Sequence, residues 1–215
     1  MRLQDLFLIC ILFSPNAAFA KCFDFNHNIT HGLRTLDSLA AITQKHSSLI
    51  IEDSGTGPDG AVWAAVKGNV NRSLQDLFED LTTHWATRAA RSSTMRITEL
   101  KNPHFKLYQK VHFSLTPFPL IHIEWTEDWA FSWLNGTRAR SEKAFIFYEK
   151  TEGTSHIQHL CGNFELIKRS GTKTEVFIYE EVQATQRNQK DTLNGIRTTL
   201  KKLRWIQSEH PRKAQ

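Results

Sequence analysis

The segment from Ile121 to Leu134 carries the clearest pattern of hydrophobic and polar positions in the chain. It reads IHIEWTEDWAFSWL, with an apolar side chain at every second position and a single interruption at Glu127. A strand has a period of two residues, so this segment predicts a long antiparallel strand with one face toward an apolar interior and one toward water. The apolar positions are Ile121, Ile123, Trp125, Trp129, Phe131 and Trp133.

The interruption at Glu127 has two interpretations. The carboxylate could point into the interior and orient a bound molecule, or a β-bulge could shift the register by one residue and return Glu127 to solvent. We favour the bulge because burying a lone carboxylate is costly. The aromatic face has two interpretations as well, since it could be ordinary core or the lining of a cavity.

The first half of the chain predicts two helices and two strands. Between Cys22 and Ile42, apolar residues at spacings of three and four predict a short tail followed by a helix. Apolar runs at Ser48 to Ile51 and at Ala61 to Val70 predict two strands separated by a turn. Ser73 is a suitable N-cap for the next helix. The apolar stripe of that helix consists of Leu74, Leu77, Phe78, Leu81 and Trp85.

The second half predicts a meander of about six antiparallel strands and a final helix. From Ser93 onward the apolar period is two, and turn sequences such as Asn102-Pro103 and Ser170-Gly171 separate the segments. From Asn188 to Ser208 the spacing becomes helical. The stripe of this long amphipathic helix consists of Leu193, Ile196, Leu200, Leu203 and Ile206. The class is therefore α+β, with one helix facing a twisted antiparallel sheet.

The N-terminal residues predict export. Arg2 precedes an apolar run from Leu6 to Phe13, and Ala18-Phe19-Ala20 has the small-x-small form of a cleavage site. These features are typical of a secretory signal peptide over residues 1–20. The expected product is a periplasmic or secreted protein that begins at Lys21. An uncleaved N-terminal membrane anchor is the alternative.

The charge of the chain limits the kinds of binding partner that we expect. The formal net charge is +5, and removing residues 1–20 takes away one Arg and one Asp, so the mature chain has the same charge. Basic residues are mixed with acidic ones, so we expect no nucleic-acid partner. Basic residues cluster only near the C-terminus, where they form a solvated helix face or make weak contact with an acidic membrane surface. These residues are Lys201, Lys202, Arg204, Arg212 and Lys213.

Two cysteines remain after cleavage of the signal peptide, because Cys10 leaves with it. In an oxidising compartment Cys22 and Cys161 are candidates for one disulfide. Such a bridge closes a long loop, and the chain-entropy model gives it a stabilisation of about 4 to 5 kcal/mol. The alternative is that both thiols are free and Cys161 is a small buried apolar residue.

The order of elements and the local sequence resemble the helix-grip fold of the START and Bet v 1-like superfamily. Three segments carry the resemblance: AAVKGNVNRSLQDLFEDL, KLYQKVHFSLTPFPLIHIEWTEDWAF and GNFELIKRSGTKTEVFIYEEVQ. They look like a strand entering the first helix, the paired central strands and the final hairpin. The resemblance implies a curved antiparallel sheet wrapped around the long C-terminal helix. Residues 48–209 are then the helix-grip domain, preceded by a tail and helix over 21–47 and followed by a basic tail over 210–215.

The resemblance also implies a deep cavity between the sheet and the C-terminal helix. Such cavities commonly hold a lipid, a sterol or a polyketide-like molecule, and the Pro117 to Leu120 loop is the expected gate. We expect a monomeric binding protein without catalytic residues. The alternatives are a cyclase or aromatase that uses the same cavity and a cell-envelope interaction protein without a ligand. The candidate lining residues are Val111, Phe113, Phe118, Trp125, Trp129, Phe131, Trp133, Leu193, Ile196 and Leu200.

The sequence offers little further chemistry. His156 and His159 lie three apart on a predicted strand and so point to opposite faces, while His112 and His122 on neighbouring strands have no evident third ligand. We therefore expect neither a metal nor a cofactor. No Gly-x-Ser-x-Gly elbow or phosphate-binding loop occurs. For the cyclase alternative, the acid and base candidates are Glu127, His112 and Tyr148.

Overall fold

The computed structural model describes residues 50–57, 59–89, 94–101, 106–118, 121–134, 142–185 and 188–209. These residues form eight strands and two helices in the predicted order. The strands are β1 (Ile50–Thr56), β2 (Val62–Val70), β3 (Thr94–Leu100), β4 (Leu107–Phe118), β5 (Ile121–Leu134), β6 (Lys143–Gly153), β7 (Ile157–Ser170) and β8 (Lys173–Ala184). Helix α1 (Leu74–Ala89) follows β2, and helix α2 (Gln189–Glu209) follows β8.

One antiparallel sheet contains all the described strands, in the order β1-β2-β8-β7-β6-β5-β4-β3. Strands β3 to β8 are a meander in which each pairs with the next along the chain. The last of them, β8, then pairs with β2 from the N-terminal half of the domain. The predicted α+β architecture with a meander and a closing helix is confirmed.

The face of the sheet that carries both helices, called the inner face here, holds the main core. On β5 the residues at alternate positions from Trp125 to Trp133 lie on this face, as the sequence predicts. Leu77 of α1 is 0% exposed and Leu200 of α2 is 1% exposed in the same cluster. Helices α1 and α2 therefore pack on the inner face of the sheet.

The opposite face of β5, called the outer face, is not open to water as the alternation predicts. Thr126, Asp128 and Ser132 are all buried. Long side chains from β4 cover the shorter polar ones: Tyr108 Oη donates a hydrogen bond of 2.5 Å to Asp128 Oδ2, and Lys110 Nζ lies 3.7 Å from Asp128 Oδ1. A polar residue on a central strand can be buried under its neighbours, which its own sequence pattern does not reveal.

Both helices begin at side-chain caps. Ser73 Oγ accepts a hydrogen bond of 3.1 Å from the backbone N–H of Asp76, which confirms the predicted N-cap of α1. Asn188 Oδ1 accepts one of 3.0 Å from the backbone N–H of Asp191 at the start of α2. An ion pair between Glu52 of β1 and Arg197 then ties α2 to the edge of the sheet.

The position of α2 corrects one expectation. The sequence predicts that the tryptophans of β5 face the C-terminal helix, but α2 packs mainly on β1, β2 and β8. Three steps across the sheet separate β8 from β5. Trp133 instead packs on Phe78 of α1, with ring centroids 4.0 Å apart. A helix with its side chains is about 10 to 12 Å wide and neighbouring strands lie about 4.8 Å apart, so one helix cannot cover an eight-stranded sheet.

Several predicted segments lie outside the described residues. These are the signal peptide over 1–20, most of the tail and helix over 21–47, and the basic tail over 210–215. The domain boundaries therefore stay predictions. None of the helices that the structure describes is both long enough and apolar enough to cross a membrane.

Candidate functional site

The inner face of β5 holds a carboxylate between two tryptophans. Trp125 Nε1 donates a hydrogen bond of 2.7 Å to Glu127 Oε1, and Trp129 Nε1 donates one of 2.8 Å to Glu127 Oε2. The three residues stand at alternate positions of one strand, so their side chains share a face and lie within reach of one another. Each carboxylate oxygen therefore has one indole donor.

The favoured interpretation of Glu127 was wrong. A bulge does occur beside it, since Thr126 pairs with Glu152 while Glu127 pairs with Lys150. The extra residue, Thr151, lies in β6, so β5 keeps its alternation and Glu127 stays on the inner face. It is 4% exposed. The two indole hydrogen bonds offset part of the cost of burying the carboxylate.

Burial raises the pKa of Glu127 to about 7, and the negative charge of Glu180 adds to the rise. The hydrogen bonds from Trp125 and Trp129 favour the charged form and lower this pKa, but they do not outweigh desolvation. Glu127 therefore changes its charge near neutral pH.

A second carboxylate reaches the same face through a row of paired residues. Trp129 pairs with Tyr148, Tyr148 with Gly162, and Gly162 with Glu180, across strands β5, β6, β7 and β8. The Tyr148 ring stacks on Trp129 with centroids 4.7 Å apart, and its hydroxyl donates a hydrogen bond of 3.1 Å to Glu180 Oε2.

Gly162 makes this reach feasible. A Cβ atom at position 162 would lie 2.2 Å from Tyr148 Oη and 2.5 Å from the backbone oxygen of Tyr179. The Tyr148 ring therefore crosses β7 through the space that any other residue would fill. Glycine is required here for a close approach.

Lys150 is the cation of this region. It pairs with Glu127 across β5 and β6, which places it on the inner face, and it is partly exposed. Desolvation lowers the pKa of its ammonium. Within the part of the chain that the structure describes, its Nζ makes no hydrogen bond or ion pair. We call Trp125, Glu127, Trp129, Tyr148, Lys150 and Glu180 the inner-face site.

The structure places most of the predicted lining residues in the inner core. Trp125, Trp133 and Leu193 are partly buried against that core. The side chain of Phe118 and residues 119–120 of the predicted gate lie outside the described residues. The fully buried members of the predicted set are Val111, Phe113, Trp129, Phe131, Ile196 and Leu200.

The structure does not bring the three predicted acid and base candidates together. Glu127 and Tyr148 share the inner face. His112 lies on the outer face, where its Nδ1 is 3.2 Å from Thr126 Oγ1. Beside it, His122 Nε2 lies 2.7 Å from Glu124 Oε1, and His112 Nε2 lies 3.9 Å from the same oxygen. The hydrogen bond from His122 holds the pKa of Glu124 below its usual range.

Cys161 lies on the outer face and is 1% exposed. It is disulfide-bonded. The predicted partner Cys22 lies outside the described residues, so that pairing stays a prediction. His159 Nε2 lies 3.5 Å from Cys161 Sγ and 3.5 Å from Glu181 Oε1. A sulfur in a disulfide is not a thiolate, so this group does not offer three metal ligands.

Sequence reasoning missed Lys150 and Glu180 of the inner-face site, and it missed Gly162, over which the Tyr148 ring crosses. A signal for Glu180 was present, because it continues the alternation of Val176 and Ile178 and so belongs on the same face. A glycine inside a strand, as at 162, also marks a bulge or a close approach. Neither signal says what the residue touches.

No family model matches this sequence, and no curated protein matches it. Solved structures do match its fold. A STAR-related lipid transfer protein fragment from Xanthomonas axonopodis is 12% identical, with a TM-score of 0.54, and the match covers 77% of this chain and 97% of that one.

Two human structures give similar values. The lipid transfer and protein localization domain of human StarD13 (DLC2) is 6% identical with a TM-score of 0.51, and the match covers 78% of this chain and 87% of that one. Human STARD10 is 6% identical with a TM-score of 0.51, covering 77% and 75%. Such low identities establish the fold alone. The chain has the helix-grip fold that these structures share, as its sequence predicts.

Proposed function

We propose that this protein binds a hydrophobic molecule, such as a lipid, a sterol or a polyketide-like compound, between the inner face and α2. One observation carries the proposal. Trp125, Leu160 and Leu193 pack against the inner core yet stay partly exposed, and Trp125 donates a hydrogen bond to the buried carboxylate of Glu127. Natural ligand sites are mostly apolar with a few polar groups that orient the ligand. The shared fold supports the proposal, since two of the structures above are named for lipid transfer.

Bound material in the purified protein tests this proposal. We expect mass spectrometry of organic extracts to find an apolar molecule in near-stoichiometric amount when the protein is prepared without detergent. The emptied protein should then take up a fluorescent fatty alcohol or sterol. An empty preparation that takes up neither probe would contradict the proposal.

A pair of tryptophan variants sharpens the experiment. Trp125→Ala removes a partly exposed wall of the inner face, so uptake should weaken at least fivefold. Trp63 is the matched control because it is a half-buried tryptophan on the outer face, stacked on Tyr179 with centroids 6.3 Å apart. Trp63→Ala should leave uptake unchanged, and equal losses in both variants would place the ligand elsewhere.

The proposal includes export, which rests on residues 1–20. The mature protein should begin at Lys21 and be periplasmic or secreted, acting as a monomer. Its basic C-terminal residues would give weak contact with an acidic membrane surface. Intact mass measured on protein from the native host tests the cleavage, and a chain that retains residues 1–20 would contradict it.

A second candidate function is catalysis of the cyclase or aromatase type. The specific observation in its favour is Glu127, whose pKa of about 7 suits a general acid or base and which shares the inner face with Tyr148. Under this alternative, Glu127→Gln should abolish turnover of a polyketide-like substrate, whereas His112→Ala on the outer face should not change it. Binding without turnover in the unchanged protein would favour the first proposal.

A further inference from the structure

Hydrogen-bond donors and acceptors are unequal in number around Glu127. The donors that face it from its own strand are the indole N–H groups of Trp125 and Trp129, and each already donates to one carboxylate oxygen. The hydroxyl of Tyr148, the next donor across β6, donates to Glu180. The indole and hydroxyl donors of this region therefore already have carboxylate acceptors.

The Glu127 carboxylate can accept further hydrogen bonds. An ionised carboxylate offers about four lone-pair positions, and Glu127 accepts two hydrogen bonds from the described residues. A buried polar group is most stable when its hydrogen-bonding capacity is filled. A hydrogen-bond donor on a bound molecule would fill the remaining lone-pair positions of Glu127.

The charges of the region point the same way. Glu127 and Glu180 lie on the inner face close enough for the charge of Glu180 to disfavour ionisation of Glu127. The cation that faces Glu127 across the strands is Lys150, which is partly exposed and makes no ion pair among the described residues. An incoming anion would meet the buried carboxylate of Glu127, the half-buried carboxylate of Glu180 and one partly solvated ammonium.

We propose that the polar end of the bound molecule is a hydrogen-bond donor, a hydroxyl or a protonated amine, that Glu127 recognises, and that anionic head groups are disfavoured. This inference rests on the proposed function, because it concerns the same site. Glu127 is then a specificity-determining residue, and Trp125 and Trp129 hold its carboxylate in place.

A series of ligands with one chain length tests the inference on the unchanged protein. Hexadecanol, hexadecylamine and hexadecanoate would compete with a fluorescent sterol at pH 8.5, where the Glu127 carboxylate is ionised. We expect the alcohol and the amine to displace the probe at concentrations at least tenfold lower than the carboxylate. Equal or tighter binding of hexadecanoate would overturn the inference and leave the proposed function standing.

Three variants then locate the preference. Glu127→Gln should reduce the tenfold preference to threefold or less, whereas Glu152→Gln, at an exposed carboxylate on the outer face, should leave it unchanged. Loss of hexadecanoate binding on Lys150→Met, together with an unchanged ratio in Glu127→Gln, would assign the head group to Lys150 and overturn the inference. If neither the fluorescent sterol nor the fluorescent fatty alcohol is taken up and the preparation is empty, the proposed function fails and this inference fails with it.

Discussion

The two ends of the inner face differ although the same strands build both. At one end, which we call the closed end, Phe131 and Trp133 of β5 pack against Phe78 of α1, and Phe131 is 1% exposed. At the other end, the inner-face site, Trp125 is partly exposed and stacks on Phe113 with centroids 5.0 Å apart. Helix α1 fills the closed end, whereas hydrogen bonds within the sheet fix the side chains of the inner-face site.

The difference shows that one strand can serve two purposes. At the closed end, the stability of Phe131 comes from contact with α1 and the core, so its apolar area is almost fully removed from water. At the inner-face site, the orientation of each tryptophan comes from the bond between its indole N–H and Glu127. Packing stabilises the closed end, whereas hydrogen bonds give the inner-face site a defined shape that a ligand can bind.

The largest expected effect contrasts the two ends directly. Phe131→Ala at the closed end should lower the free energy of unfolding by about 3 to 5 kcal/mol, because it removes a fully buried ring and leaves a cavity. Trp125→Ala should cost roughly 2 kcal/mol, because part of that side chain is already in water. Urea unfolding measures both values. Equal losses would show that the inner-face site is packed as tightly as the closed end.

The next effect is the pH dependence that Glu127 gives to stability. The pKa of Glu127 in the folded protein is about 7, above its ordinary value of 4.5. Between these values the unfolded chain has lost this proton while the folded protein retains it, so stability falls as the pH rises. The contribution is fully present below about pH 4.5 and is lost as the pH passes about 7, a change of roughly 3 kcal/mol.

Urea unfolding from pH 4.5 to 8 measures this dependence. Glu127→Gln should flatten the decline over that range. Glu152→Gln is the matched control, because Glu152 is an exposed carboxylate on β6 with a side chain 68% accessible. The same slope in the unchanged protein and in Glu127→Gln would remove the inner-face site from the explanation.

The smallest effect concerns the crossing of Tyr148 over Gly162. Gly162→Ala places a Cβ 2.3 Å from Tyr148 Cζ, so the ring must move away from Glu180, at a cost of about 1 to 3 kcal/mol. Gly171→Ala is the control, since nothing lies within 4 Å of a Cβ there. Thermal unfolding of both variants would show the difference. An unchanged Gly162→Ala would mean that Tyr148 has another position of equal stability.

Much of the architecture could be read from local pattern. The period-two segments gave the six-stranded meander, Ser73 gave the start of α1, and the stripe from Leu193 to Leu203 gave the buried side of α2. These features depend on residues close together in sequence, where period and capping chemistry act directly. Part of the site was also readable, because Trp125 and Trp129 fall on the predicted inner face.

The contacts of the site were not readable in the same way. The pattern could not show that the extra residue of the bulge is Thr151 of β6, and Glu127 was therefore expected in solvent. Nor could it show that Gly162 lies between Tyr148 and Glu180, since these residues come from three strands. Register between strands depends on pairing across the sheet, which no single segment encodes.

The sequence by itself determined the order of the elements, the alternation along most strands and the helix-grip fold. The tertiary structure alone decided that α2 covers β1, β2 and β8 and that Phe78 of α1 covers the closed end of β5. It also decided that two indoles hold a buried carboxylate. The reason is physical: alternation is a property of one strand, whereas burial and hydrogen bonding depend on which neighbours the folded chain brings to it.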